Sequence, residues 1–436
     1  MVRAVTRLAL LFVVIAACGG VTASGDPDAP ATGDTGPAVP TANPLRGISG
    51  TRLAFDVTTF AATASITFEP SSAEGATLEV GDLLLDTVSV PFTTNATAKT
   101  IDLALAASDA PVTIDVAFHY KNHAGFAGAA ATGYTFLWPY FCGNLFPCHS
   151  QPRDGLAMTL AVTGVPAGKM AVFPTTIPEA PSYQLAWSID AYTELPLGVT
   201  AAGTAVSVWY RPTELTLAQT GTANLRAAFE WFETTLGPYR FGTKVGSISV
   251  KWGPGAYGGM EHHPLWHVSA GSLDNQVTNV HEAAHGWFGD GIRIECWEDF
   301  VLSEGTVSYL AGRALDVVAP TVGAQAWQEY ATELAGIPGT AKVWPHTCNS
   351  VDILKDKLFT NAPYMRGAFF YRAVALKVGA GKVDQALHAF YMAHGGKTAH
   401  MADMLDTIKT VTGYDATACA QTWLESTTRP MPGPCP

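Results

Sequence analysis

His281, Glu282 and His285 stand in the string His281-Glu282-Ala283-Ala284-His285, and Glu304 follows after a gap of eighteen residues, just before Gly305. Two histidines four apart lie one above the other on a helix, so both imidazoles can reach a single metal ion. Glu282 sits beside that ion without binding it, which suits a general base acting on water. Glu304 is a natural third ligand. Three protein ligands leave one coordination position open, as catalytic zinc requires. The pattern predicts one Zn(2+) per chain, held by His281, His285 and Glu304, and hydrolytic chemistry.

The helix carrying both histidines is expected to begin near Asp274 or Asn275 and to stop around Gly289, with Gly286 a weak point inside it. A second helix over 303–315 should carry Glu304. Helical periodicity also marks 215–236, where Leu225, Phe229, Trp231 and Phe232 are candidate core residues, and 367–378, 384–393, 402–412 and 416–426. Residues 245–251 read as a strand. Upstream, short β-type runs at 51–58, 64–68, 87–92, 100–106, 113–120 and 158–163 are broken by Gly, Pro, Ser and Asn, the signature of a largely antiparallel β domain. That domain, placed at 46–212, shows no catalytic constellation of its own. The fold class is α+β multidomain, with the antiparallel β domain followed by a mainly helical domain at 213–436.

Several segments carry a family resemblance. Trp297-Glu298-Asp299-Phe300-Val301-Leu302-Ser303-Glu304-Gly305 resembles the second zinc helix of the M1 aminopeptidases, whose pattern is close to W-x-D-x-W-L-N-E-G; Val301 and Ser303 depart from it. Gly258-Gly259-Met260-Glu261-His262 is similar to the family's G-x-M-E-N motif in every fixed position but the last. Tyr364-Met365-Arg366-Gly367 resembles Y-x-K-G, with Arg366 in place of the lysine. Phe146-Pro147-Cys148-His149-Ser150-Gln151-Pro152 is a looser echo of F-P-C-x-D-E-P, and Gly286 and Asp290 stand where Gln and Asn are usual.

The resemblance implies a thermolysin-like zinc metallopeptidase domain acting on peptides. Glu282 would be the general base, Tyr364 the hydroxyl that steadies the oxyanion, and Glu261 the carboxylate that grips the substrate's free amine, with Gly258, Gly259 and Met260 binding substrate beside it. Asp299 is a supporting or structural partner. His263 and His267 are read as loop or subsite residues. M1 enzymes commonly carry a large helical C-terminal domain, and the chain stops before one, so a more open cleft is expected. An endopeptidase with the same zinc chemistry is the nearest alternative, favoured by His262 and the open cleft. A zinc-binding surface lipoprotein without turnover is the alternative from another class, and the intact Glu282 and Tyr364 argue against it.

Composition bounds the rest. The chain has 436 residues, 48% of them apolar, and a formal net charge of −12, which argues against a nucleic-acid partner. Arg3 and Arg7 precede a short apolar stretch at 8–17, an export signal too short to span a bilayer comfortably. Ile15-Ala16-Ala17-Cys18 resembles a bacterial lipobox, which makes 1–17 a lipoprotein signal peptide and Cys18 the lipidated residue. Ordinary cleavage at a small-residue site, leaving Cys18 incidental, is the alternative. Residues 18–45 then form a Gly/Pro/Thr-rich tether about 30 Å long. The folded part is expected outside the cytoplasm, on a bacterial envelope membrane, with the outer membrane a guess. Setting Cys18 aside, six cysteines remain, an even set that fits disulfides; neighbouring pairs are one of fifteen connectivities. Side-chain preference and oligomeric state stay open.

Overall fold

The computed structural model describes residues 39–436 except 140, 254–256, 342, 353–354 and 356–357. The expected signal peptide, Cys18 and most of the tether lie outside the described residues.

The β region is built on a six-stranded sheet in the order Thr176–Ala180, Leu156–Thr163, Ile48–Asp56, Ala61–Phe68, Val112–His119, Leu84–Val88. Alternation decides its faces. Ile114, Val116 and Phe118 point inward beside Ala64, Ile66 and Phe68. Its pairings are antiparallel except that Ile48–Asp56 runs parallel to Leu156–Thr163. A three-stranded sheet of Ala76–Glu79, Thr100–Leu103 and Phe92–Asn95 adds Leu78, Ile101 and Leu103 to the core. The expected strand at 87–92 is divided, because Pro91 has no N–H to give a ladder and the chain bends there into Phe92–Asn95.

The boundary expected at 212 moves. Thr193–Val199 and Ala205–Tyr210 belong to a five-stranded sheet continued by Lys244–Val250, Leu265–Ser269 and the edge strand Gly259–Met260. By sheet membership the second part therefore begins near 192. Ala205–Tyr210 and Lys244–Val250 run parallel, which demands a crossover. Helices α1 (Leu215–Gly221) and α2 (Leu225–Leu236) supply it. The single helix expected over 215–236 is broken at 222–224, where the Thr222 hydroxyl turns back to the Ala218 carbonyl at 2.6 Å.

The remaining helices are α3 (Gln276–Ala284), α4 (Phe300–Val318), α5 (Pro320–Gly336), α6 (Asn361–Val378), α7 (Ala380–His394), α8 (Met401–Thr412) and α9 (Thr417–Ala420), the last running into a π turn at Gln421–Glu425. Helix α3 stops at Ala284, short of the expected Gly289, as Gly286 weakens the next turn. Helix α4 is longer than expected at both ends. It is the central helix, with Val307, Leu310, Ala311, Ala314 and Leu315 fully buried. Helix α6 starts six residues before the expected 367, with Thr360 as N-cap and Pro363 tolerated in its first turn. Helix α5 has no counterpart among the expected elements. Cys142–Cys148, Cys296–Cys348 and Cys419–Cys435 form disulfides, the neighbouring-pair connectivity.

Candidate metal centre and cleft

Asn275 caps α3 by accepting the Thr278 N–H at 2.9 Å, and Asn279 fixes the helix to the sheet by accepting from the Ser247 hydroxyl at 2.7 Å. Those anchors set the rotation that turns His281 and His285 toward α4. His281 Nε2 lies 3.1 Å from Glu304 Oε2, His285 Nε2 lies 3.4 Å from the same oxygen, and the two Nε2 atoms are 3.4 Å apart. A tetrahedral ion with bonds of about 2.0–2.1 Å needs ligand–ligand edges of about 3.3 Å, so the triangle fits zinc. His285 Nδ1 donates to the Phe288 carbonyl at 3.1 Å, which leaves Nε2 directed at the centre. His281 Nδ1 faces the Ser308 hydroxyl at 3.5 Å.

Electrostatics favour a cation here. Burial works against a charged imidazole, yet the carboxylates of Glu304, Glu261 and Glu282 outweigh it and hold His285 up at about 10. Burial likewise opposes the Glu304 anion, and His285 and His281 overcome it, holding that carboxyl at about 2. A divalent ion held by His281, His285 and Glu304 would take the place of that proton and satisfy all three ligands at once.

Glu282 is buried beside the ligands and binds none of the three ligand atoms; a side chain at Gly259 would occupy the space of its carboxylate. Burial first, then Glu261 and Glu304 against the pull of His285, push the Glu282 carboxyl well above its ordinary value. Glu261 follows Met260 at the sheet edge, and its carboxylate, that of Glu282 and a nitrogen of His285 all lie within 4.8 Å of one another. Tyr364, one turn into α6, stacks on the His281 ring with centroids 5.8 Å apart. Burial and the charges of Glu304, Glu261 and Glu282 raise its phenol well above the ordinary value, so it stays a proton donor.

All nine predicted site residues that the structure describes converge on one cleft of about 410 Å³. Sequence reasoning missed Trp138 and Phe359, which form an aromatic wall with ring centroids 4.7 Å apart, and Tyr183, which hydrogen-bonds Glu261. It also missed Glu329, Tyr330 and Glu333 on α5.

Three histidines are corrected. His262 is turned into the interior against His267 and Phe136, with ring centroids at 4.5 and 5.8 Å, and neither histidine lines the cleft. His263 is no loop or subsite residue either. Its Nε2 donates to the Glu282 carbonyl at 2.8 Å and its Nδ1 accepts from the Tyr239 hydroxyl at 2.7 Å. Burial holds His263 down at about 3, neutral as that pattern requires. Arg366 binds no substrate group; its Nε donates to the Trp423 carbonyl at 2.5 Å and its Nη2 to the Ser426 carbonyl at 2.8 Å. Asp299 accepts the Met401 N–H at 2.9 Å and pairs with His400 at 2.6 Å, a structural role.

Fold and site together define a metallopeptidase scaffold with one histidine on a helix, a second at its C-cap and a glutamate on the next helix. Residues 263–423 match the family model described as Peptidase family M1 domain. Aminopeptidase N of Streptomyces lividans is 26% identical over 158 residues, spanning 34% of this chain and 18% of that protein. Leucine aminopeptidase 2-1 of Meyerozyma guilliermondii is 23% identical over 291 residues, 61% of this chain and 46% of that protein. The chain thus spans less than half the length of these relatives. The M1 zinc metallopeptidase of Deinococcus radiodurans superposes with a TM-score of 0.74 at 19% identity, covering 89% of this chain and 96% of that one. A point mutant of that Deinococcus protein, bound to Tyr-Ser-Ala, gives 0.75 at 19% identity and covers the same shares of the two chains. Over residues 263–423 the chain is thus similar to the M1 peptidase family, and it shares the fold of an M1 zinc metallopeptidase.

Proposed function

We propose that the protein is a zinc-dependent aminopeptidase, with one zinc per chain, that removes N-terminal residues from peptides. The observation that carries this reading is the carboxylate of Glu261 lying beside Glu282 and His285 in the cleft. A substrate ammonium paired with Glu261 fixes the first peptide bond next to the general base, and a blocked amine forfeits that pairing. Zinc, when bound, supplies a Lewis acid that acidifies water and polarises the scissile carbonyl. Glu282 accepts the proton of the attacking water and hands it to the leaving amine. The Tyr364 hydroxyl donates to the developing oxyanion. Trp138, Met260 and Phe359 line the same cleft, a wall suited to a large apolar first side chain. The mutant Deinococcus protein has been solved with Tyr-Ser-Ala, and a two-domain M1 zinc metallopeptidase mutant of the same fold with L-tryptophan, which supports that preference.

The test is hydrolysis of one peptide, free and N-acetylated, with the cleavage position read by mass. Cleavage of the free form alone, after its first residue, is the expected result. Internal cleavage of both forms would replace this reading with an endopeptidase. We also propose export and lipidation at Cys18, which the three disulfides support through their need for an oxidising compartment. Among the described residues no helix is long and apolar enough to cross a membrane. Cys18→Ala should move the protein from the detergent phase to the aqueous phase, and an unchanged partition would discard the anchor.

A further inference from the structure

Helix α4 is a ruler along the cleft. Phe300, Glu304 and Ser308 sit on successive turns, about 6 Å apart along the axis. On the Phe300 side lie Phe359 and Trp138, with ring centroids 4.8 and 6.0 Å from that ring, and Tyr183, whose ring is 4.8 Å from Trp138 and which bonds Glu261. The amine anchor therefore belongs to the aromatic end. Helix α5 folds back along the Ser308 half of α4, with Trp327 against Tyr309 and Gly312, and its Glu329, Tyr330 and Glu333 line the cleft together with Asn275 and Thr278 at the start of α3. A peptide held by its amine at the first end and by its carbonyl at the metal sends its second residue toward the other.

Among the described residues, five glutamates line this cleft and no lysine or arginine does. Glu261, Glu282 and Glu304 have roles; Glu329 and Glu333 have none. Neither forms an ion pair among the described residues, and Glu333 accepts only the Asn361 side-chain amide, at 3.2 Å. Between them Tyr330 is 6% exposed, lines the cleft, and has no hydrogen-bond partner for its phenol among the described residues. A hydroxyl without a protein partner at a cavity wall is a donor and acceptor that a bound ligand can satisfy. Burial, and then the neighbouring Glu329, raise the Glu333 carboxyl, a repulsion that a bound cation relieves.

We propose that Glu329, Tyr330 and Glu333 form a subsite selecting peptides whose second residue is basic, lysine or arginine. The inference rests on the aminopeptidase reading, because only the amine anchor fixes which end of the cleft receives that residue. The two carboxylates pair with the side-chain cation, and the Tyr330 hydroxyl accepts one of its N–H groups.

The experiment compares Phe-X-Ala peptides with X as Lys, Met or Glu on the zinc-loaded full chain and on the variant Glu329→Gln/Glu333→Gln. Both glutamates are exposed, so the discrimination of Lys over Glu should be about tenfold in kcat/KM, carried mainly by KM. It should shrink with added salt and fall to about twofold or less in the variant. Tyr330→Phe should lower the Lys-over-Met ratio alone, which a general loss of packing would not do. Equal kcat/KM for Lys and Glu in the wild type, or an undiminished ratio in the double variant, would overturn the subsite while leaving the aminopeptidase reading standing. Failure to release the first residue from every peptide would overturn both.

Discussion

Gly305 on α4 and Gly367 on α6 meet backbone to backbone: a Cβ built on Gly305 would lie 2.7 Å from the Gly367 Cα, and the reverse approach is closer still. The contact sits one residue after Glu304 and three after Tyr364. It sets the separation between a metal ligand and the proposed oxyanion donor. Gly305→Ala or Gly367→Ala forces the helices apart or bends them, at a cost of about 1–3 kcal/mol. Thermal unfolding should show the loss, and zinc affinity and kcat should fall together. Wild-type melting and turnover in both variants would show that the helices separate freely and that their spacing does not position the site.

Glu282→Gln keeps the shape of the side chain and removes its basicity. Turnover should drop by about 10²–10⁴. Metal analysis should still find one zinc per chain, because Glu282 supplies none of the three ligand atoms. Retained activity would end the general-base assignment.

Tyr364→Phe preserves the ring stacked on His281 and deletes only the hydroxyl. The expected change is a fall in kcat of about 10²–10³ with KM little altered. A rise in KM at constant kcat would instead assign Tyr364 to ground-state binding.

The His400–Asp299 pair gives a pH signature. Burial disfavours the charged imidazole, and the Asp299 hydrogen bond and charge outweigh it, so His400 titrates above its ordinary value. A raised folded value stabilises the fold fully below the unfolded value of about 6.5 and loses that contribution as pH rises through the folded one. Melting temperatures of wild type and His400→Ala should therefore differ most in mildly acid solution and converge at alkaline pH. A constant difference across that range would show that the pair contributes no proton-linked stability.

The metal ligands are legible in the sequence because four-residue spacing on a helix is local geometry, and local geometry is written in adjacent residues. Glu261 and Tyr364 are reached only through family resemblance, since nothing in the chain near them fixes a role. Trp138, Tyr183 and Phe359 escape altogether: each comes to the cleft by long-range folding, and a buried aromatic looks like core in sequence. The structural role of Asp299 is reached through the resemblance, but its partner His400, a hundred and one residues away, is not legible. Helix α5 is a different case. Ala326, Trp327, Tyr330 and Leu334 lie on its buried face with the spacing of a helix, a signal that is present in the sequence and overlooked. The segments Thr193–Val199 and Ala205–Tyr210 fall within the expected β domain but belong to the sheet of the second part, because strand propensity carries no record of its partner.

Gln184, in the turn Ser182–Gln184 of the β region, accepts the His263 N–H at 3.2 Å and donates to Asp290, while His263 holds the backbone of Glu282. Trp138 and Tyr183 come from that same region. A graft of the helical half onto another β scaffold would arrive without the aromatic wall and without the brace behind its base. A chimera that exchanges these halves must carry Gln184 and the residues it braces across together, so the two parts act as one module.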